Sequence, residues 1–285
     1  MANMRAIRTR IKSIESTRQI TGSMRLVAAA KLRRTQEKSR GLRDFTEAAR
    51  AVLQKLTAGE TSFASPLLRR YAMEEKLCYV LFLGNRGLCG TYNSSLLRYL
   101  EELAKNEKRS CSLVVIGRWG REQVAATGLP VLRRFDTVSD TPEPQEAEEI
   151  TDYLKQLFLS GETDRVVLVY QRFRSVLAQD PAVMTLLPVE SPAAAGEAPD
   201  VIFEPDADSL MEELTELTLR SSVYSVLLEA RTGEHAARMT AMTAASDNTD
   251  ELIAKLSLQL NHARQAAITT EISEIVGGSA ALNQK

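Results

Sequence analysis

Gly84-Asn-Arg-Gly-Leu-Cys-Gly90 is the stretch of this 285-residue chain with the clearest capacity for chemistry. It follows an apolar run at 77–83 and precedes a helical segment, so its backbone N–H groups could cradle a phosphate as a strand-to-helix turn does. The spacing, however, is Gly-x-x-Gly-x-x-Gly, not the dinucleotide pattern Gly-x-Gly-x-x-Gly. The next strand ends in Ile116-Gly-Arg118, with no acid placed for a ribose. Cys89 stands where a helix N-terminus would favour a thiolate. His235 and His262 both fall in the C-terminal segment, so a Cys/His nucleophile lacks support. No Gly-Lys-Ser or Gly-Lys-Thr is present, and Glu148 and Glu149 read as a solvated helix face. The expectation is a chain with no catalytic site, cofactor or metal of its own.

The element that must carry this loop is read from the change of period around it. Residues 77–83 form a buried strand, and a helix from 91 or 93 to about 106 follows. Strands at 112–116, 131–135 and 165–170 alternate with helices at 118–127 and 143–160. Alternation of this kind argues a small parallel sheet with right-handed crossovers. Segments 173–177 and 183–189 are predicted as a closing hairpin turned by Ala178-Gln-Asp-Pro181, and 190–205 as a linker.

On either side of this α/β region the chain has no proline, since all nine prolines lie between 66 and 205. From 206 the sequence predicts one very long helix. Asp206 and Asp208 flank Ser209, and Glu212 follows that serine at capping-box spacing. Leu210, Leu214, Leu217, Ser221, Tyr224 and Leu228 advance in steps of four and three, and Ile253, Leu256, Leu260, Ala263 and Ala267 resume the rhythm. A helix of that length spans on the order of 110 Å and needs a partner. Residues 1–65 supply one, with apolar steps at Ile7, Ile11 and Ile14, then Ile20, Met24 and Val27. Gly22 and Gly41 weaken this helix by about 1 kcal/mol each relative to alanine, so packing must hold it.

Charge supports the pairing. Residues 1–50 hold 13 Lys or Arg against 4 Asp or Glu, and residues 206–285 hold 6 against 12. The fold class is therefore α/β: a long antiparallel coiled coil of the two terminal helices (1–65 and 206–285), with a small Rossmann-like domain and its linker (66–205) inserted between them. The basic helix raises a nucleic-acid reading, but only Phe45 among residues 1–50 is aromatic, and a protein-facing helix surface is the plainer explanation. No apolar run reaches ~18 residues and no secretory segment opens the chain, so a chain that stays in the cytosol is expected. Cys78, Cys89 and Cys111 are odd in number and sit in apolar or glycine-rich settings, which predicts free thiols.

Four blocks resemble one family. They are Ile20-Thr-Gly-Ser-Met-Arg-Leu-Val-Ala-Ala-Ala-Lys-Leu32, Arg86-Gly-Leu-Cys-Gly90, Arg238-Met-Thr-Ala-Met-Thr-Ala-Ala-Ser-Asp-Asn248 and Ala263-Arg-Gln-Ala-Ala-Ile-Thr-Thr-Glu-Ile-Ser-Glu-Ile-Val276. In this order they look like the gamma subunit of the F-type ATP synthase. The resemblance implies a central-stalk rotor, one copy per complex, threaded through the ring of alpha and beta subunits and joined to an epsilon subunit and the membrane c-ring. Catalysis would belong to beta, and the chain would sit peripherally at the cytoplasmic face of a bacterial cell membrane. By resemblance the beta interface includes Met24, Arg86, Cys89, Arg238, Arg264, Gln265 and Thr269. The sequence departs from the family pattern at Gly22, Asn85, Thr91, Leu260 and His262, and it lacks the dithiol segment of plastid forms. Two other readings use the residues alone: a nucleotide-binding α/β enzyme or sensor with a dimerising coiled coil, and a nucleic-acid-binding coiled coil.

Overall fold

The computed structural model describes residues 2–57, 66–68, 74–189 and 207–282. The N-terminal helix α1 is Ala2–Thr57 and the C-terminal helix α5 is Ala207–Leu282. The predicted cap at Asp206 and the linker at 190–205 lie outside the described residues, as does the end of the predicted first helix beyond 57. Ser209 falls inside the first turn of α5 and does not precede it.

Between the long helices come β1 (Lys76–Phe82), α2 (Tyr92–Asn106), β2 (Ser110–Ile116), α3 (Arg121–Ala125), β3 (Val131–Phe135), α4 (Pro144–Leu159), β4 (Arg165–Ser175) and β5 (Ala178–Leu187). The strands lie in the order β3-β2-β1-β4-β5. Pairs β1–β2, β1–β4 and β2–β3 are parallel, while β4–β5 is an antiparallel hairpin. The predicted alternation thus holds, with one correction. The turn is at Val176 and Leu177, and Ala178-Gln-Asp-Pro181 belongs to β5. Pro181 is tolerated because β5 is an edge strand, where a missing N–H leaves no ladder bond unmade.

The core has two faces. Cys78, Val80, Phe82, Val114, Ile116, Val166 and Leu168 pack against Ile150, Leu154 and Phe158 of α4 and against Leu219, Val223, Val226 and Leu227 of α5. Leu77, Tyr79, Leu81, Leu113 and Val115 pack against Leu96, Leu97 and Leu100 of α2 and Val124 of α3. Burial on both faces explains why the inner strands are continuous apolar runs.

The chain divides into two compact units, 1–27 with 239–285, and 28–238. Both long helices are therefore shared between units. In the first unit α1 and α5 run antiparallel: Arg18 pairs with Asp250 at 2.9 Å and the Thr21 and Ser246 hydroxyls meet at 3.0 Å. Ile253, Leu256, Leu260, Ala263 and Ala267 are the buried or half-buried positions expected of a seam. On α1 the covered positions of this unit include Met4, Ile7, Ile11, Ile14, Thr21 and Met24, and those of the second unit include Ala28, Leu32, Thr35, Leu42, Thr46, Ala49 and Leu53. Ile20 and Val27, predicted for the stripe, are exposed. The heptad simply keeps its register through small and polar residues. Leu217 likewise lies outside the buried set, because α5 there packs against α4 and the sheet through Leu219, Val223 and Val226.

A β-carbon added at Gly22 or Gly41 would meet nothing within 4 Å. Gly22→Ala and Gly41→Ala are each expected to raise the unfolding free energy by about 0.5–1 kcal/mol, read from denaturant midpoints, since both sit in helix interiors with open space around them.

Candidate functional site

The parallel strands bring the glycine loop to the carboxyl edge of the sheet, beside the point where β1 is flanked by β2 on one side and β4 on the other. In open α/β sheets a ligand enters the crevice at such a switch point. Here α5 fills it. Arg231 donates from Nη1 to the Leu83 carbonyl (3.2 Å) and from Nη2 to Asn85 Oδ1 (3.1 Å). The Glu234 carboxylate accepts from the Asn85 backbone N–H at 3.3 Å. A β-carbon at Gly84 would stand 2.9 Å from the Glu234 carboxyl carbon, so glycine is what lets the carboxylate approach. The anion beneath this loop is the protein's own.

Glu234 is 1% exposed and is shared by two cations, Arg231 at 2.8 Å and Arg238 at 2.7 Å, three residues before and four after it on α5. Burial by itself raises its carboxyl, but the two guanidiniums outweigh that and hold it below the usual range. Arg238 also donates to the carbonyls of Arg86 (3.2 Å) and Gly87 (3.4 Å), so the same guanidinium ties the helix to the loop. From the other side Asn93 accepts from the Gly84 N–H (2.8 Å) and donates to Cys89 Sγ (3.3 Å).

The network reaches α1 through the segment between β3 and α4. Asn85 donates to the Val138 carbonyl (2.8 Å) and to Asp140 Oδ1 (3.0 Å), and Asp140 is paired with Lys31 of α1. Pro142 offers its carbonyl to Lys38 of α1 (3.4 Å) and to Tyr224 of α5 (3.2 Å). The strap is anchored by α4, where the backbone N–H groups of Ser139 (2.6 Å) and Glu143 (2.8 Å) donate to Glu146. Burial raises the Asp140 carboxyl, yet the hydrogen bonds from Lys31 and Asn85 hold it well below its ordinary value.

His235 closes the circuit. Its Nε2 lies 2.8 Å from the Asp140 carbonyl, which can only accept, so that nitrogen carries the proton. Nδ1 therefore turns a lone pair toward Arg238 Nη1 at 3.5 Å. Protonating it would set a buried charge against a guanidinium, and burial, with Arg238 adding to it, pushes the imidazole pKa down. Nothing in the spacing of residues places a histidine near the glycine loop, and the topology brings His235 to it. A nucleophilic pair does not result, because burial raises the Cys89 thiol and, among the described residues, its sulfur hydrogen-bonds to Asn93 and the Arg86 carbonyl and not to a histidine.

The predicted contact residues separate into two sets. Arg86, Arg264, Gln265 and Thr269 are exposed and Met24 is half-buried. Cys89 (2% exposed) and Arg238 (9%) are turned inward. Lys31, Asp140, Arg231 and Glu234 escaped the sequence reading. For Arg231 and Glu234 the signal was the gap in the α5 seam between Leu228 and Ile253, where alternating charges at 231, 234 and 238 stand among small residues, whereas Lys31 and Asp140 carried none.

Comparison with known proteins decides the family. The ATP synthase family model matches residues 3–282. The chain belongs to the ATP synthase gamma chain family. Relatives include gamma chains of Pelotomaculum thermopropionicum, 39% identical over 99% of this chain and all of the relative, and Desulforamulus reducens, 40% identical with the same coverage. Its fold is that of chains in two structures of the Euglena gracilis mitochondrial ATP synthase, one of the rotor and one of the OSCP/F1/c-ring assembly. One matches with TM-score 0.68, covering 94% of this chain and 99% of that one, and the other with 0.72, covering 99% and 95%, both at 20% identity. Among the described residues no helix is long and apolar enough to cross a membrane, and no group of three or more His, Cys, Asp or Glu could hold a metal.

Two outcomes follow from the buried circuit. Glu234→Ala strands Arg231 and Arg238 without their anion and is expected to cost about 3–5 kcal/mol in urea unfolding. For His235 the folded pKa lies below the unfolded value near 6.5, so between the two the unfolded chain binds more protons. Its contribution is complete above about pH 6.5 and is lost as pH falls. His235→Gln, still able to donate to the Asp140 carbonyl, should flatten the fall in melting temperature between pH 7 and 5, above the carboxylate window.

Proposed function

We propose that this chain is the central-stalk rotor subunit of a bacterial F-type ATP synthase, present once per complex, with its neighbours the alpha and beta subunits, an epsilon subunit and the membrane c-ring. The observation that carries the reading is identity near 40% to gamma chains over essentially their whole length and its own. The chain carries torque between the c-ring and the alpha/beta ring, and it has no catalytic site of its own. It rests peripherally at the cytoplasmic face of the cell membrane, held there through the complex.

Paired helices suit that task. Torque loads a shaft in twist, and helices without proline, packed through a seam, resist it as a unit. Met24, Arg86, Arg264, Gln265 and Thr269 meet the beta subunits directly, whereas Cys89 and Arg238 act by holding the loop that bears Arg86. Beyond them Ile272, Ile275 and Val276 are exposed on α5 and turn against an apolar collar of the ring. Each beta site then changes nucleotide affinity because the rotor contacts its open and closed forms unequally.

Mixing the purified chain with the alpha and beta subunits of its own complex tests this. Native mass should show one copy per three alpha-beta pairs, and ATP hydrolysis should appear with the chain. A chain that stays free, with hydrolysis unaltered, would remove the proposal. Deleting residues 273–285 is expected to lower the transport achieved per ATP more than it lowers assembly, and equal losses would count against the collar.

A further inference from the structure

The glycine loop is held in a shape it would not keep by itself. Leu88 has backbone φ +60°, a region that a branched side chain occupies only when its surroundings impose it, and its side chain is 65% exposed, so burial does not impose it. The ties lie behind the loop. Arg238 Nη2 donates to the carbonyls of Arg86 and Gly87, the two residues before Leu88, and also to Glu234. Cys89 is tucked beneath, its thiol turned to the Arg86 carbonyl at 3.7 Å.

What faces the other side of Arg238 is His235. The imidazole is buried, and its Nε2–H is already donated to the Asp140 carbonyl, so a further proton can be taken only at Nδ1. That nitrogen lies 3.5 Å from Arg238 Nη1. Protonation replaces the lone pair turned to the guanidinium by an N–H and sets two cations, both donors, against each other in the interior. We propose that His235 is an acid-released latch on the glycine loop: one proton at Nδ1 drives Arg238 off the Arg86 and Gly87 carbonyls, and the loop relaxes at Leu88 and uncovers Cys89. The inference does not depend on which partners the chain has.

Other charged and titratable groups face the imidazole from each element packed around it. They are Glu234, Arg231 and Arg238 on α5, Asp140 on the β3–α4 strap with Lys31 of α1 behind it, Cys89 on the loop and Tyr92 on α2. Despite burial, Glu234 stays below the usual carboxylate range between its two guanidiniums, and Asp140 does so through Lys31 and Asn85. Burial holds the Cys89 thiol and the Tyr92 phenol above their ordinary values. None of these four acids changes charge between about pH 7.5 and about pH 5.5, and the histidine is the group that does.

The full chain carries its own readout, since its three cysteines are free thiols. Dithiodipyridine labelling, resolved by mass spectrometry, reads each separately. Half-buried Cys111 on β2 reports the reagent chemistry, and fully buried Cys78 on β1 reports global opening. Cys89 and Cys111 both have raised thiols, so their thiolate fractions fall together with pH and cancel in the ratio of their rates. In the wild-type chain the Cys89-to-Cys111 ratio should rise between about pH 7.5 and about pH 5.5, by up to about tenfold, the limit for one proton over the unit of pH below 6.5. His235→Gln can still donate to the Asp140 carbonyl but cannot take the proton, and should hold the ratio constant. Arg238→Gln removes the tie and should give a raised ratio at both pH values. His262→Gln, at an exposed position of α5, should behave as wild type. A constant ratio in the wild-type chain would overturn the latch without recourse to any variant. So would labelling of Cys78 in step with Cys89, which would mean that the whole sheet opens, or an equal rise in wild type and His235→Gln, which would assign the response to another group.

Discussion

A carboxylate with almost no access to water holds the carboxyl edge of the sheet together. Glu234 is tolerable there only because Arg231 and Arg238 bracket it on the same helix and the Asn85 N–H meets it from the loop. Remove the anion and two guanidiniums remain in the interior without their counter-charge, held only by neutral acceptors such as the Leu83 and Arg86 carbonyls. Remove either arginine and the loop loses a ligand for its carbonyls. The glycine loop, the β3–α4 strap and the two long helices all take their positions from this group, directly or through Asn85, Asp140 and Lys31.

That arrangement turns a ligand crevice into a joint. In a nucleotide-binding sheet the loop after β1 offers its amides to a phosphate that comes and goes. Here a side chain of the chain's own helix occupies the place, and Gly84 makes the room. Gly117 does the same for the neighbouring strand end, since a β-carbon there would stand 2.3 Å from the Leu83 carbonyl oxygen. The strand-to-helix geometry is kept, and what it grips is α5. Polar ties of this kind fix rotation as well as position, because a guanidinium held at both ends cannot turn without breaking charged hydrogen bonds. Apolar packing alone would set distance more firmly than angle.

The sequence disclosed the elements better than the joint between them. Strand and helix positions follow from period changes around 77, 112, 131 and 165, and the long helices from two proline-free ends. The hairpin turn was misplaced because Pro181 reads as a turn residue unless the strand is known to lie at an edge. Ile20 and Val27 misled because apolar side chains at helical spacing need not face the partner when threonine and alanine keep the seam. The buried circuit was hidden for a different reason. Glu234 and Asn85 are 149 positions apart, and each alone reads as an ordinary surface residue. Cys89 and Arg238, singled out by family likeness, prove to be inward-facing, while Leu88 between Arg86 and Cys89 is the side chain that points out.

The central claim, that the switch-point crevice is closed by the chain's own Arg231 and Glu234, is tested most directly by titrating the full chain with ATP and with magnesium ADP in a calorimeter. The account predicts no saturable heat up to millimolar nucleotide. Stoichiometric binding to the free chain, lost when a bulkier residue replaces Gly84, would contradict it.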